Sequence, residues 1–122
     1  MTVTVTQSKP STGDGSLILF SWALTTANPD GAPVGSAEWA DRTWQAVGTW
    51  GTAILALQGS NDGINWFSMS NAAGGVAIAI TANLGVASIE LPLMVRPVLT
   101  TVGIGAAVTV TCLMRRATPM PN

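Results

Sequence analysis

The chain has 122 residues, 48% of them hydrophobic and 9% charged, with a formal net charge of −1. That length fills one domain without a second core, and a charged fraction far below the usual ~25% leaves little repulsion between copies, which favours membership of an oligomer or shell. The five basic residues, Lys9, Arg42, Arg96, Arg115 and Arg116, form no stripe able to follow a phosphate backbone, which argues against nucleic acid as a partner.

Strand signals dominate. Short alternating runs are bounded by Gly, Asn, Asp and Pro, and helical spacing of apolar residues is almost absent. Residues 2–6 alternate Thr with Val3 and Val5, which predicts an N-terminal strand or an extended arm. A polar linker containing Gly and Pro follows, and residues 17–26 then place Ile18, Phe20, Trp22 and Leu24 on one face of a core strand. The Asn-Pro-Asp-Gly-Ala-Pro run within 28–36 marks a long turn or loop. Over 42–49, Trp44 and Ala46 share one face, with Thr43, Gln45 and Val47 opposite; Gly51 interrupts, and 52–58 resumes as a strand.

Ser60-Asn61-Asp62-Gly63 is the clearest short-range signal. Asn-Asp-Gly offers positive-φ positions at little steric cost and can close a hairpin onto a returning strand over 64–69. Further strands are predicted at 76–81, 86–91, 94–101 and 106–114, the last with Val108, Val110, Cys112 and Met114 on one face. Pro97 has no N–H to donate and suggests an edge strand or a bulge. The fold predicted is all-β: a single β-sandwich, jelly-roll or immunoglobulin-like, of about eight or nine short antiparallel strands. It spans residues 17–116, with an N-terminal arm and linker at 1–16 and a C-terminal tail at 117–122. These ends are expected to be disordered tails or arms that order on a neighbour.

Catalysis finds few materials here. The six acids are Asp14, Asp30, Glu38, Asp41, Asp62 and Glu90, and the chain has neither His nor Tyr, so the usual bases and phenolic acids are missing. The single cysteine, Cys112, excludes an intrachain disulfide and lies in an apolar run, as a buried inert thiol would. A calcium site at Asn61, Asp62 and Asn65 would suit oxygen ligands, but the spacing matches no dedicated calcium loop, and a hairpin turn is the stronger reading. The expectation is a non-enzymatic module with no cofactor, no metal, no signal peptide and no membrane span. Five tryptophans (Trp22, Trp39, Trp44, Trp50 and Trp66) raise the alternative of a sugar-stacking platform. Trp39 is expected to be the most exposed, and core or interface packing is the stronger reading for the set.

The run from Gly48 to Trp66, Gly-Thr-Trp-Gly-Thr-Ala-Ile-Leu-Ala-Leu-Gln-Gly-Ser-Asn-Asp-Gly-Ile-Asn-Trp, resembles a pattern of small virion proteins of tailed bacteriophages. That pattern reads G-[TS]-[FW]-G-x-A-x-[VIL]-x-[LI]-x-G-S-x-D-G-x-x-W. Farther on, Val95-Arg96-Pro97-Val98-Leu99 and the strand through 108–112 are similar to the C-terminal part of those proteins. The likeness spans residues 42–114. It implies a capsid decoration (cement) protein, β-rich and often trimeric, seated where capsid subunits meet, or else a tail or adsorption component that binds host glycans. The expected partners are then the major capsid protein and further copies of the chain as a homo-trimer, on the capsid surface of a virion assembled in the host cytoplasm. Val3 and Val5, in an arm able to add a strand to a neighbour's sheet, and Trp39 are the candidate partner contacts.

Overall fold

The structure is a computed structural model and describes residues 2–8, 17–37 and 39–116. The linker over 9–16 and the tail over 117–122 lie outside the described residues. All regular elements among the described residues are strands: β1 (Thr2–Val3), β2 (Val5–Ser8), β3 (Leu17–Thr25), β4 (Asp30–Gly31), β5 (Val34–Gly35), β6 (Asp41–Thr49), β7 (Ile54–Ser60), β8 (Phe67–Ser68), β9 (Leu84–Ala87), β10 (Met94–Thr101) and β11 (Ala107–Arg115).

They form two sheets packed face to face. The first has the order β1-β4-β10-β7-β8, with β5 also on β10, and the second the order β2-β3-β11-β6-β9. Counting β4 and β5 as one broken strand, and setting aside β1 and β2, leaves eight strands. Apart from the β7–β8 hairpin, each of these is followed in sequence by a strand of the opposite sheet. That connectivity is a jelly roll, not an immunoglobulin sandwich.

Period-two alternation builds the core. Ile18, Phe20, Trp22 and Leu24 on β3, Val108, Val110, Cys112 and Met114 on β11, and Trp44 and Ala46 on β6 are buried on the inner face of the second sheet. Leu55 and Leu57 on β7 and Val95 and Leu99 on β10 face them from the first. The long ladders are β3–β11 and β11–β6, each in unbroken register over nine residue pairs.

Three expectations need correction. First, residues 2–8 are not a free arm, and the sandwich is not wholly antiparallel. β1 pairs with β4 in parallel, at the edge of the first sheet. Two residues on, β2 pairs antiparallel with β3, at the edge of the second. Val3 and Val5 thereby reach the core, and this hydrophobic contact holds the segment down. Second, residues 76–81 form isolated bridges in place of a strand. Ile78 and Ile80 do alternate inward, but their backbones bond to two different partners, Met69 and Leu55, so no continuous ladder forms.

Third, of the two readings given for Pro97, an edge strand or a bulge, the edge fails: Pro97 lies in the interior strand β10. Leu99 donates its N–H to Pro29 on the β4 side, and strand alternation would aim Pro97's missing N–H the same way, at Gly31. There the neighbour is interrupted. Val98 pairs with Asp30 but Val95 with Val34, so one extra residue bulges between β4 and β5. The proline sits where no donor is required.

Segments cross between the sheets on both sides. β1 and β2 cover one pair of edges. On the other, Leu57 accepts from Met69 on the first sheet, while Ala87 accepts from Ala72 beside the second. Open edges of the kind that invite aggregation are thus largely covered.

Candidate interaction surface

The Ser60–Gly63 turn spends its polar groups on itself. Ser60, fully buried, donates through Oγ to Asp62 Oδ1 at 2.9 Å and accepts from the Gly63 N–H at 2.8 Å. Asp62 Oδ1 also accepts from the Ile64 and Asn65 backbone N–H groups, each at 2.8 Å, and Oδ2 accepts from the Asn65 side-chain amide at 2.9 Å. The Asn65 and Ile64 backbone donors, with the side-chain bonds, hold the Asp62 carboxyl far below the usual range. Asn61 Oδ1 accepts from Leu93 N–H at 3.0 Å, and Gly63 takes φ 75°. With its oxygens so engaged, the turn ties 60–65 to the start of β10. Among the described residues no three His, Cys, Asp or Glu cluster as a metal site would require.

Val3, Val5 and Trp39 are all half-buried and packed on the core. The Arg116 guanidinium lies over the Trp39 ring, 4.6 Å from its centroid. Each of the three therefore offers a partner only part of its surface. The other tryptophans do not line up as an open row. Trp22 and Trp44 are in the core, Trp66 lies under Arg96 at 4.1 Å, and Trp50 donates to Asn83 Oδ1 at 2.9 Å.

Arg42 is the polar residue that sequence reasoning missed. It is 2% exposed and points inward on β6, in phase with Trp44 and Ala46. Its parity with those two residues was the available signal. Nη2 donates to the Ser36 carbonyl at 2.9 Å and Nη1 to the Glu90 carbonyl at 3.3 Å, while Nε has no hydrogen-bond partner. Desolvation lowers the guanidinium's pKa. Burial likewise pushes the nearby Cys112 thiol up, with Arg42 pulling the other way. Ser36 Oγ donates to Pro92 O at 2.6 Å, so Arg42 and Ser36 together pin the loop before β6 to the segment before β10. Glu90 belongs to the same region. Burial raises its pKa, but hydrogen bonds, first that from the Ser70 N–H at 2.7 Å, outweigh burial and leave it lowered.

The exposed surface is poor in charge and rich in aliphatic groups. Ile89, Leu91 and Leu93 alternate outward along the segment before β10, 50%, 59% and 44% exposed. A cavity of about 400 Å³ beside it is lined by Ile89, Leu91, Leu113 and Ala72 together with Asp41, Arg42 and Arg115. Ile64 and Ile104 stand out at 80% and 91% exposure. The arrangement supplies apolar contact area, with no constellation for acid–base or nucleophilic chemistry among the described side chains.

No family model matches the sequence, and no curated protein matches it.

Proposed function

We propose that this protein is a structural virion component of the tailed-bacteriophage type. In this reading it is a capsid decoration (cement) protein that binds the major capsid protein, with further copies of itself, at the surface of the head. The observation that supports the reading is the run of exposed aliphatic side chains at Ile89, Leu91 and Leu93, beside a cavity that Ile89 and Leu91 line together with Asp41, Arg42 and Arg115. Such a surface gains by burial against protein and has little electrostatic reason to avoid it. The likeness of the Gly48–Trp66 stretch to a pattern of small phage virion proteins supports the choice of partner. Jelly rolls serve viral shells and lectins alike, so the fold by itself does not choose between them. The tryptophan positions give the glycan-binding alternative no platform.

Mechanically, a pressurised shell fails where neighbouring subunits part. A module seated across such a joint adds ~25 cal/mol for each Å² of apolar surface it removes from water, less the ordering cost, and separation must undo it. The test is to add purified protein to heads of the phage carrying its gene, assembled without it. Saturable co-sedimentation and a raised disruption temperature are expected. Heads that neither bind the protein nor gain heat resistance would refute the reading.

A further inference from the structure

The second sheet turns its outer face to solvent. Across β3, β11, β6 and β9 this face runs in rows: Leu19, Leu113, Thr43 and Ala87; Ser21, Thr111, Gln45 and Gly85; Ala23, Thr109 and Val47; Thr25, Ala107 and Thr49. Gln45, Val47, Thr109 and Ala87 are exposed. Apart from one pair, the described residues of these rows and of the row that ends the face carry no charge. That pair is Asp41 and Arg115, both exposed and directly opposite each other on β6 and β11.

We infer that this face is a self-association surface, on which a second copy of the chain packs sheet to sheet about a two-fold axis lying along the strands between β11 and β6. Three observations converge on that occupant. The first is symmetry. In the order β2-β3-β11-β6-β9, an axis between β11 and β6 lays β11 on the partner copy's β6 and β3 on its β9, and leaves β2 outside the overlap. The second is charge. The same axis places Asp41 of each copy opposite Arg115 of the other, at both ends of one reciprocal contact. Packed sheets stand ~10 Å apart, a gap that an Asp and an Arg reaching from opposite sides can span. Every other row meets uncharged Thr, Ser, Gln, Ala or aliphatic groups, so no like charges face each other. The third is area. Four strands at ~4.8 Å spacing, with nine residues in each of β3, β6 and β11, present on the order of 500–600 Å² per copy. Two such faces bury about 1,000–1,200 Å², the lower end of what specific interfaces need. This inference concerns the free protein and does not rest on the shell reading; Asp41, Thr43, Ala87, Leu113 and Arg115 also line the cavity beside Ile89, so self-association and attachment to a shell would compete for that end of the face.

The test is sedimentation velocity of the full chain from micromolar to millimolar concentration, with circular dichroism confirming that each variant is folded. The wild type is expected to form a reversible dimer. Gln45→Lys, at an exposed position beside the axis, buries an unpaired charge in the dimer and is expected to raise its dissociation constant by ~30-fold or more. Asp41→Arg alone and Arg115→Asp alone each set like charges face to face and should stay monomeric. Mixed in equal amounts, these two variants should recover the dimer, because only the heterodimer restores both opposite-charge contacts. A wild type monomeric throughout, a trimer, a dimer indifferent to Gln45→Lys, or no recovery in the mixture would each overturn the inference. A monomer whose Gln45→Lys variant loses attachment to phage heads would overturn it too, and would assign the face to the capsid subunit.

Discussion

The indole of Trp22 stacks on that of Trp44, with ring centroids 5.8 Å apart and planes 19° from parallel, across the strand that separates them. Each ring also sends its N–H away from its own strand: Trp22 to the Ala32 carbonyl at 2.9 Å, and Trp44 to Ser88 Oγ at 3.2 Å. One aromatic pair thus fills the centre of the core and anchors two connecting segments. Trp22→Ala should cost about 3–5 kcal/mol of folding stability, and Trp22→Phe about 1–3 kcal/mol, since it keeps a ring but leaves the Ala32 carbonyl unpaired. Urea denaturation followed by circular dichroism measures both.

The N-terminal segment is part of the fold. Removing residues 1–8 would uncover the edge of β3 along Leu19 to Trp22 and expose core now packed by Val3 and Val5. The truncated chain should therefore be markedly less stable and aggregate on concentration. Light scattering with a thermal melt checks this. A truncated protein with an unchanged Tm would show that β1 and β2 contribute nothing.

Gly31 and Pro97 are matched in size. A Cβ on Gly31 would come within 2.7 Å of Pro97 Cδ and 2.9 Å of its carbonyl oxygen. Gly31→Ala should cost about 1–3 kcal/mol by overpacking. Pro97→Ala removes the ring atoms but not the carbonyl, so the double variant should be less destabilised than the two single losses summed. A double-mutant cycle in urea reads the coupling.

The Asp62 carboxyl is depressed in the folded state, so its contribution is present above the unfolded pKa of ~3.9 and is lost as pH falls toward the folded value. Asp62→Asn removes the charge at all pH values. The Tm gap between wild type and Asp62→Asn should hold between pH 5 and 7 (chosen for the assay) and narrow steadily on further acidification. A gap independent of pH would mean that the carboxylate's hydrogen bonds are not what lowers its pKa.

How much of this was legible in the residues depends on the length of the pattern. The core faces of β3 and β11 follow from alternation over nine residues and that of β6 from Trp44 and Ala46, and β10 was predicted with both ends in place. Residues 76–81 misled because Ile78 and Ile80 alternate as a strand does, whereas pairing depends on a partner distant in sequence. Pro97 left an edge strand and a bulge open, and the choice was not local: an interior strand accepts proline where its neighbour bulges, and the bulge lies near Gly31, far along the chain. Val3 and Val5 read as a strand or an extended arm, and nothing local says whether a short Thr-Val strand serves its own sandwich or a neighbour's. Arg42 was readable from its phase with Trp44, against the prior that arginine stays in water. The surface rows of the second sheet are assembled from four strands, so no single stretch of sequence displays them.

The central claim is attachment throughout a phage head, and copy number tests it most directly. Quantitative mass spectrometry of purified particles should find this protein at an abundance comparable to that of the major capsid subunit. A handful of copies per particle, or none, would contradict the account.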